Sequence, residues 1–153
     1  MASVIKYLEE RGLIHDVTAR EALEKAMEQG PISFYCGFDP TADSLHLGSM
    51  LPLLVMRRLQ RRGHKPIVLL GTATGMIGDP SGKSAERKLL TEEEIIHNAK
   101  GIEAQVRLFL DDTGPAAMEI VRNDEWTRPM SCIDFLRDVG KHFTVNMMMA
   151  KDS

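Results

Sequence analysis

The 153-residue sequence has few cysteines, few aromatic residues and no long apolar run. Its two cysteines, Cys36 and Cys132, lie far apart, which argues against a disulfide framework and against a zinc site. No stretch approaches the roughly 18 consecutive apolar residues of a membrane span, and the first residues lack the basic and apolar segments of a secretory signal. We therefore expect a cytoplasmic protein without a membrane partner and without a metal bound by the protein itself.

Neither sign of charge dominates the sequence. It contains 22 acidic and 19 basic residues, for a formal net charge of −3. This balance excludes the strongly basic footprint of many nucleic-acid-binding domains, although a local basic patch can still bind RNA or nucleotide. With 43% apolar residues, the composition is that of one soluble globular domain.

Short runs of β-forming residues alternate with stretches of helical periodicity. The predicted strands cover 32–38, 66–71 and 118–121, and the predicted helices cover 19–29, 47–63, 91–110, 131–139 and 143–150. Thr18 with Glu21, and Thr91 with Glu94, have the spacing of capping boxes, which mark helix starts. The order of elements predicts an open parallel α/β sheet with flanking helices, preceded by a helical segment over residues 1–30.

Two polar, glycine-containing loops follow the first two predicted strands, at 37–49 and 71–88. Open α/β sheets bind ligands beyond the carboxyl ends of their strands, so we expect the site between these loops. The first loop contains Asp39, Thr41 and His46, and His46 opens a helix whose positive end attracts phosphate. A single histidine at a helix start is more often structural than functional, but Gly37 and Gly48 on either side allow a ligand close to the backbone.

The second loop contains a segment, GDPSGKS, that invites comparison with a phosphate-binding P-loop. A P-loop needs four residues between its glycines, whereas Gly78 and Gly82 enclose three. Lys83, Arg87 and Lys88 nevertheless suit transient binding of a phosphate or pyrophosphate, and a solvated charged loop remains the alternative.

Two long segments resemble class I aminoacyl-tRNA synthetases. The segment YCGFDPTADSLHLGS, from Tyr35 to Ser49, is similar to the first signature of that class, and GTATGMIGDPSGKSAER, from Gly71 to Arg87, resembles a loop of bacterial tyrosyl-tRNA synthetases. A third match is FLRDVGKHF, from Phe135 to Phe143. The signature proper comprises Pro40, Thr41, Ala42, Asp43, Ser44, Leu45, His46, Leu47, Gly48 and Ser49.

The resemblance implies a Rossmann-like catalytic domain, of which residues 31–153 form the first part. It implies activation of L-tyrosine by ATP, with Mg²⁺, to tyrosyl-adenylate and pyrophosphate, then transfer of tyrosyl to tRNA(Tyr) by a homodimer. Tyrosine would contact Tyr35, Thr74 and Asp79. ATP would contact Gly37, Asp39, Thr41, His46, Gly48 and Ser49. The catalytic groups would be Thr41 and His46 on the departing phosphates, with Lys83 and Arg87 closing over pyrophosphate.

The sequence departs from the family pattern in two ways. Ser49 stands where the signature commonly has a second histidine, so a shorter hydroxyl replaces an imidazole near the ribose. Nothing resembles the later Lys-Met-Ser-Lys-Ser signature, the rest of the tyrosine pocket or an anticodon-binding region. We therefore expect an amino-terminal fragment that stops before the second half of the fold and that is inactive by itself.

Three alternatives stay open at this point. A tryptophan–tRNA ligase shares the architecture, and a P-loop-like nucleotide phosphohydrolase is the second enzyme class. A noncatalytic interaction module is the third, because 131–150, with Met147 to Met149, offers apolar surface to a partner. Methionine-rich runs are more often core than interface, so we expect this stripe to be buried.

Overall fold

Three short parallel strands form one sheet in the order β1-β2-β3. The structure is a computed structural model that describes residues 4–77 and 89–149. The strands are β1 (Ser33–Phe38), β2 (Lys65–Leu70) and β3 (Glu119–Arg122). All three predicted strands and their parallel arrangement are confirmed.

Helices precede, connect and follow the strands. They are α1 (Val4–Glu9), α2 (Arg20–Gln29), α3 (Leu47–Gln60), α4 (Thr74–Ile77), α5 (Glu92–Val106), α6 (Asp124–Thr127), α7 (Cys132–Asp138) and α8 (Val145–Met149), with a 3₁₀ turn at Gly140–His142. Within residues 4–77 and 89–149, no helix has both the length and the apolar character that crossing a membrane requires.

The core lies between one face of the sheet and the two long connecting helices. Alternate side chains of a strand share a face, so Val68 and Leu70 of β2 point the same way. They belong to one buried cluster with Leu53 of α3 and Ile102 and Val106 of α5. Both connecting helices therefore pack on this face. Tyr35 lies at a position of opposite parity on β1, and its side chain is 71% exposed.

The start of α5 confirms the predicted capping box at Thr91. The Thr91 hydroxyl accepts a hydrogen bond from Glu94 N at 3.2 Å, and the Glu94 carboxylate accepts one from Thr91 N at 2.7 Å. Three glutamates in the first turn also face the positive end of the helix dipole. These contacts define where α5 begins.

The capping box predicted at Thr18 is wrong. Helix α2 is preceded by Ala19 as its cap residue, without a side-chain capping bond, so Glu21 is the second helical residue instead of the third. Arg20 pairs instead with Glu9 of α1 at 2.5 and 2.6 Å. The first turn of α2 thus contacts α1 through an ion pair and has no side-chain cap.

The methionine stripe is exposed in this chain, so the expectation that it is buried is wrong. Met147, Met148 and Met149 are 41%, 54% and 80% exposed. They belong to α8, a five-residue helix with no buried residue. Composition favoured burial, but no described element packs over this helix.

Candidate active site at the carboxyl ends of the strands

The three strands end in register. Phe38 is paired with Leu70, and Leu70 is paired with Arg122. The next residues continue the alignment, since Gly71 N donates to Phe38 O at 3.0 Å and Asn123 N donates to Leu70 O at 3.1 Å. Three loops therefore begin side by side at one edge of the sheet, the usual position of ligand sites in open α/β folds.

An open depression of about 310 Å³ lies where β1 runs into α3. The structure brings together there all six residues predicted to contact ATP. The lining includes Gly37, Asp39, Thr41, His46, Gly48 and Ser49, together with Ser44 and Leu45 of the signature. Among the remaining signature residues, Pro40 is buried, whereas Ala42, Asp43 and Leu47 are exposed.

His46 is the cap residue of α3, and its backbone is extended, with φ −91° and ψ 169°. The exposed imidazole therefore lies at the amino end of a 14-residue helix, where free N–H groups and the helix dipole favour an anion. A Cβ atom on Gly48 would lie 2.9 Å from two atoms of this ring, so glycine leaves room for the imidazole.

Ser49 is buried, and its hydroxyl lies 3.5 Å from Nε2 of His46. The residue that replaces the second histidine of the signature thus faces the first one. This long contact adds a polar neighbour to the imidazole.

A hydrogen-bonded chain joins the first loop to the second and third. The Thr74 hydroxyl donates to Asp39 Oδ1 at 3.1 Å and accepts from Asn123 Nδ2 at 3.2 Å. Asn123 Oδ1 also accepts from Ala73 N at 2.7 Å. Thr74 is therefore held next to Asp39, which lines the depression.

Gly71 makes the approach of these loops possible. A Cβ atom there would lie 2.0 Å from Asp39 Oδ1 and 2.7 Å from Thr74 Oγ1. Any other residue would push the carboxylate and the hydroxyl apart.

Asp124 is a buried carboxylate next to Asn123, which belongs to the hydrogen-bonded chain between the loops. It accepts two hydrogen bonds from the Arg122 guanidinium, at 3.0 and 2.7 Å, and one from the Thr72 hydroxyl. These partners, Arg122 above all, hold the pKa of the Asp124 carboxyl below its usual value, against the opposing effect of burial. The Asp124 carboxyl is thus ionised at neutral pH, and in this form it accepts the hydrogen bond that holds the Thr72 hydroxyl.

Sequence reasoning missed Asn123 and Asp124. The signal was present, because the third strand was predicted to end just before them and its carboxyl end belongs to the same edge. What the pattern did not contain was the register that brings Asn123 to Thr74.

The other predicted site residues divide into two groups. Tyr35 lies on β1 outside the depression, and Asp79, Lys83 and Arg87 lie outside the residues that the structure describes. Within the described part of the chain, no group of three His, Cys, Asp or Glu side chains is placed to hold a metal ion. A helix amino terminus, an imidazole and a hydroxyl around an open depression can hold phosphate oxygens.

Comparison with known proteins agrees with this geometry. Residues 27–153 match the family model of tRNA synthetases class I (W and Y). The chain is 54% identical over 154 residues to the tyrosine–tRNA ligase of Opitutus terrae and 53% identical over 150 residues to that of Staphylococcus carnosus. These matches cover 99% and 98% of the chain, which spans about 36% of the length of either relative.

A solved structure shares the fold over nearly the same extent. The chain is similar to a C-terminally truncated mitochondrial tyrosyl-tRNA synthetase of Aspergillus nidulans, with a TM-score of 0.84 and 28% identity. The match covers 99% of this chain and 46% of that one. The in-register strand ends, the depression at the signature and the family match together show that this chain belongs to the class I tRNA synthetase family of the W and Y type.

Proposed function

We propose that the chain forms the nucleotide side of the amino-acid activation site of a tyrosine–tRNA ligase. The observation that carries the proposal is the depression between β1 and α3, where Thr41 and His46 lie beside a helix amino terminus. The names of the similar bacterial proteins support tyrosine as the amino acid. Because the chain spans about a third of their length, the reaction is assigned to the full-length protein.

The chemistry follows from the charges involved. The carboxylate of tyrosine is already a nucleophile, so its attack on the α-phosphorus of ATP needs no general base. The bond between the α-phosphorus and the bridging oxygen breaks, and pyrophosphate leaves with the electron pair. Catalysis then consists of alignment and of neutralising the charge that grows on the phosphate oxygens.

His46 and Thr41 have the donors for this task. Both residues line the depression, and an imidazole N–H and a hydroxyl O–H can donate hydrogen bonds to oxygens of the leaving phosphates. Lys83 and Arg87 would add positive charge over pyrophosphate, and Mg²⁺ would enter as part of the Mg·ATP substrate. Gly37, Asp39, Gly48 and Ser49 would line the nucleotide.

Tyrosine would bind on the exposed side of β1. Tyr35 and Gly37 lie on the same face of the strand, so the amino acid at Tyr35 would lie next to the nucleotide at Gly37. Thr74 and Asp79 would surround the ammonium group. Transfer to tRNA(Tyr), a homodimeric assembly and a cytoplasmic location complete the proposal.

The test is substrate-dependent ATP–pyrophosphate exchange by the full-length protein. We expect exchange that requires tyrosine and does not occur with tryptophan. Exchange driven by tryptophan instead would assign the chain to the other branch of its family. ATP hydrolysis that needs no amino acid would revive the phosphohydrolase alternative.

Tyr35 is expected to select the phenol hydroxyl of the substrate. A site built to hydrogen-bond a hydroxyl leaves polar groups unpaired when phenylalanine enters, an effect for which tyrosyl-tRNA synthetases are the standard example. The Tyr35→Phe variant should therefore discriminate less well between tyrosine and phenylalanine. The measurement is the ratio of kcat/KM for the two amino acids in the exchange assay.

The matched control is Tyr7→Phe. Tyr7 lies on α1, where its ring stacks with Arg11 and Arg62, so the same atom is removed away from the site. An unchanged ratio in Tyr35→Phe, or an equal change in both variants, would remove Tyr35 from this role.

A further inference from the structure

One face of α5 lies along the signature segment. Asn98 Nδ2 donates to Pro40 O at 3.1 Å, and Gln105 Oε1 accepts from Leu45 N at 2.7 Å. Residues three and four apart on a helix share a face, so Asn98, Gly101 and Gln105 form one stripe. The two hydrogen bonds hold the two ends of residues 40–45, a stretch without regular secondary structure.

Gly101 lies in the middle of this stripe, against the middle of the segment. A Cβ atom on Gly101 would lie 2.0 Å from the carbonyl oxygen of Asp43 and 3.0 Å from its carbonyl carbon. These neighbours are backbone atoms, which do not rotate away as a flexible side chain does. Glycine inside a helix normally costs stability relative to alanine, and here the close approach explains its presence.

The anchored positions directly precede the groups assigned to phosphate. Pro40 is followed by Thr41, and Leu45 is followed by His46, so a shift of either anchor moves one of these donors. Ile102, next to Gly101, also contributes to the lining of the depression.

We propose that α5 positions the signature segment through Asn98, Gly101 and Gln105, and thereby sets the places of Thr41 and His46 around the phosphates of ATP. These three are positioning residues, since they act through the segment and not on the substrate. The inference rests on the proposed function for its catalytic consequence. Its structural part, the immobilisation of residues 40–45 by α5, stands apart from that function.

The test uses four variants of the full-length protein. Gln105→Met keeps the length of the side chain but removes the acceptor for Leu45 N, whereas Gln105→Glu keeps an acceptor oxygen. Gly101→Ala introduces the Cβ atom. Lys100→Ala, at an exposed position of the same helix, is the control.

In tyrosine-dependent exchange, we expect kcat to fall about tenfold to a hundredfold in Gln105→Met and in Gly101→Ala, as for a small misplacement of catalytic groups. The KM for tyrosine should not change, because tyrosine contacts other residues. Gln105→Glu should recover most of kcat, and Lys100→Ala should equal the wild type. The amide of Leu45 should exchange its hydrogen faster in Gln105→Met than in the wild type, since its acceptor is gone.

The outcomes separate this inference from the proposed function. A wild-type protein without tyrosine-dependent ATP–pyrophosphate exchange would refute the proposed function. Amide hydrogen exchange at Leu45 would still show whether α5 holds residues 40–45 in place. Wild-type kcat in both Gln105→Met and Gly101→Ala would overturn the positioning role. Equal losses of kcat in Gln105→Glu and Gln105→Met, or unaltered protection of the Leu45 amide, would also overturn it. The same holds if kcat falls and the KM for tyrosine rises together in variants with a lowered Tm.

Discussion

Replacing His46 with alanine is expected to slow the formation of tyrosyl-adenylate by about a hundredfold to a thousandfold, the usual cost of losing one donor to a transition-state oxygen. The affinity for tyrosine should stay the same, because the imidazole lies at the start of α3 and Tyr35 lies on the exposed side of β1. Losing an interaction that is made only in the transition state lowers kcat without weakening the binding of the ground state.

The measurement is the rate of adenylate formation in a single turnover, with the dissociation constant of tyrosine determined separately. His15→Ala is the matched control, since His15 is exposed in the segment between α1 and α2. Equal losses in rate and in tyrosine affinity would contradict the assignment of His46 to phosphate. A rate equal to that of the wild type would remove His46 from catalysis.

Replacing Asp124 with alanine is expected to lower the free energy of unfolding by about 3 kcal/mol, the lower end of the range for breaking a buried ion pair. The Asp124 side chain is 8% exposed, whereas that of Arg122 is 36% exposed. The loss is therefore smaller than for two fully buried charges, because water can still reach the remaining guanidinium. The Thr72 hydroxyl, which is buried, loses its acceptor as well.

Urea unfolding of the full-length protein measures this effect, and Asp112→Ala is the control. Asp112 pairs with Arg107 at 3.1 Å, but the two side chains are 48% and 52% exposed. Exposed pairs contribute about 0–1 kcal/mol, so this variant should unfold nearly as the wild type does. Similar losses in the two variants would show that burial does not distinguish the pairs.

The contribution of Asp124 should depend on pH in a defined direction. Its pKa is lowered in the folded protein, by Arg122 first and also by Thr72 and Arg128. The stabilisation is therefore complete above the unfolded-state pKa of about 3.9 and is lost as the pH falls through the lower folded-state value. Acidification below about pH 4 should reduce the difference in the free energy of unfolding between the wild type and Asp124→Ala. A difference that does not change over this range would contradict the assigned cause.

Local patterns predicted the elements that carry the site. The apolar run of β2 and the leucine spacing of α3 are enough to predict a strand and a helix, because backbone geometry sets the periods of these elements. The capping box at Thr91 was also predictable, since both of its partners lie within one turn. The failed cap at Thr18 shows the limit, because the same spacing of threonine and glutamate precedes a helix whose cap residue is Ala19.

The apolar composition of α8 did not determine whether the helix is buried. An apolar run favours burial of a surface, but it does not specify which segment packs against that surface. Met147 to Met149 are exposed among the residues that the structure describes. Composition alone is therefore a weak guide to the burial of this five-residue helix.

The sequence by itself determined the parallel α/β architecture, the place of the signature at the end of β1 and the resemblance that points to amino-acid activation, because each of these depends on residues close together in the chain. Only the tertiary structure decided that Asn123 meets Thr74, that Asp124 is buried against Arg122 and Thr72, and that Gly101 faces Asp43. Apart from the Arg122–Asp124 pair, whose members lie two positions apart, these contacts join residues about 50 to 60 positions apart. They depend on strand register and helix packing, which no local pattern specifies.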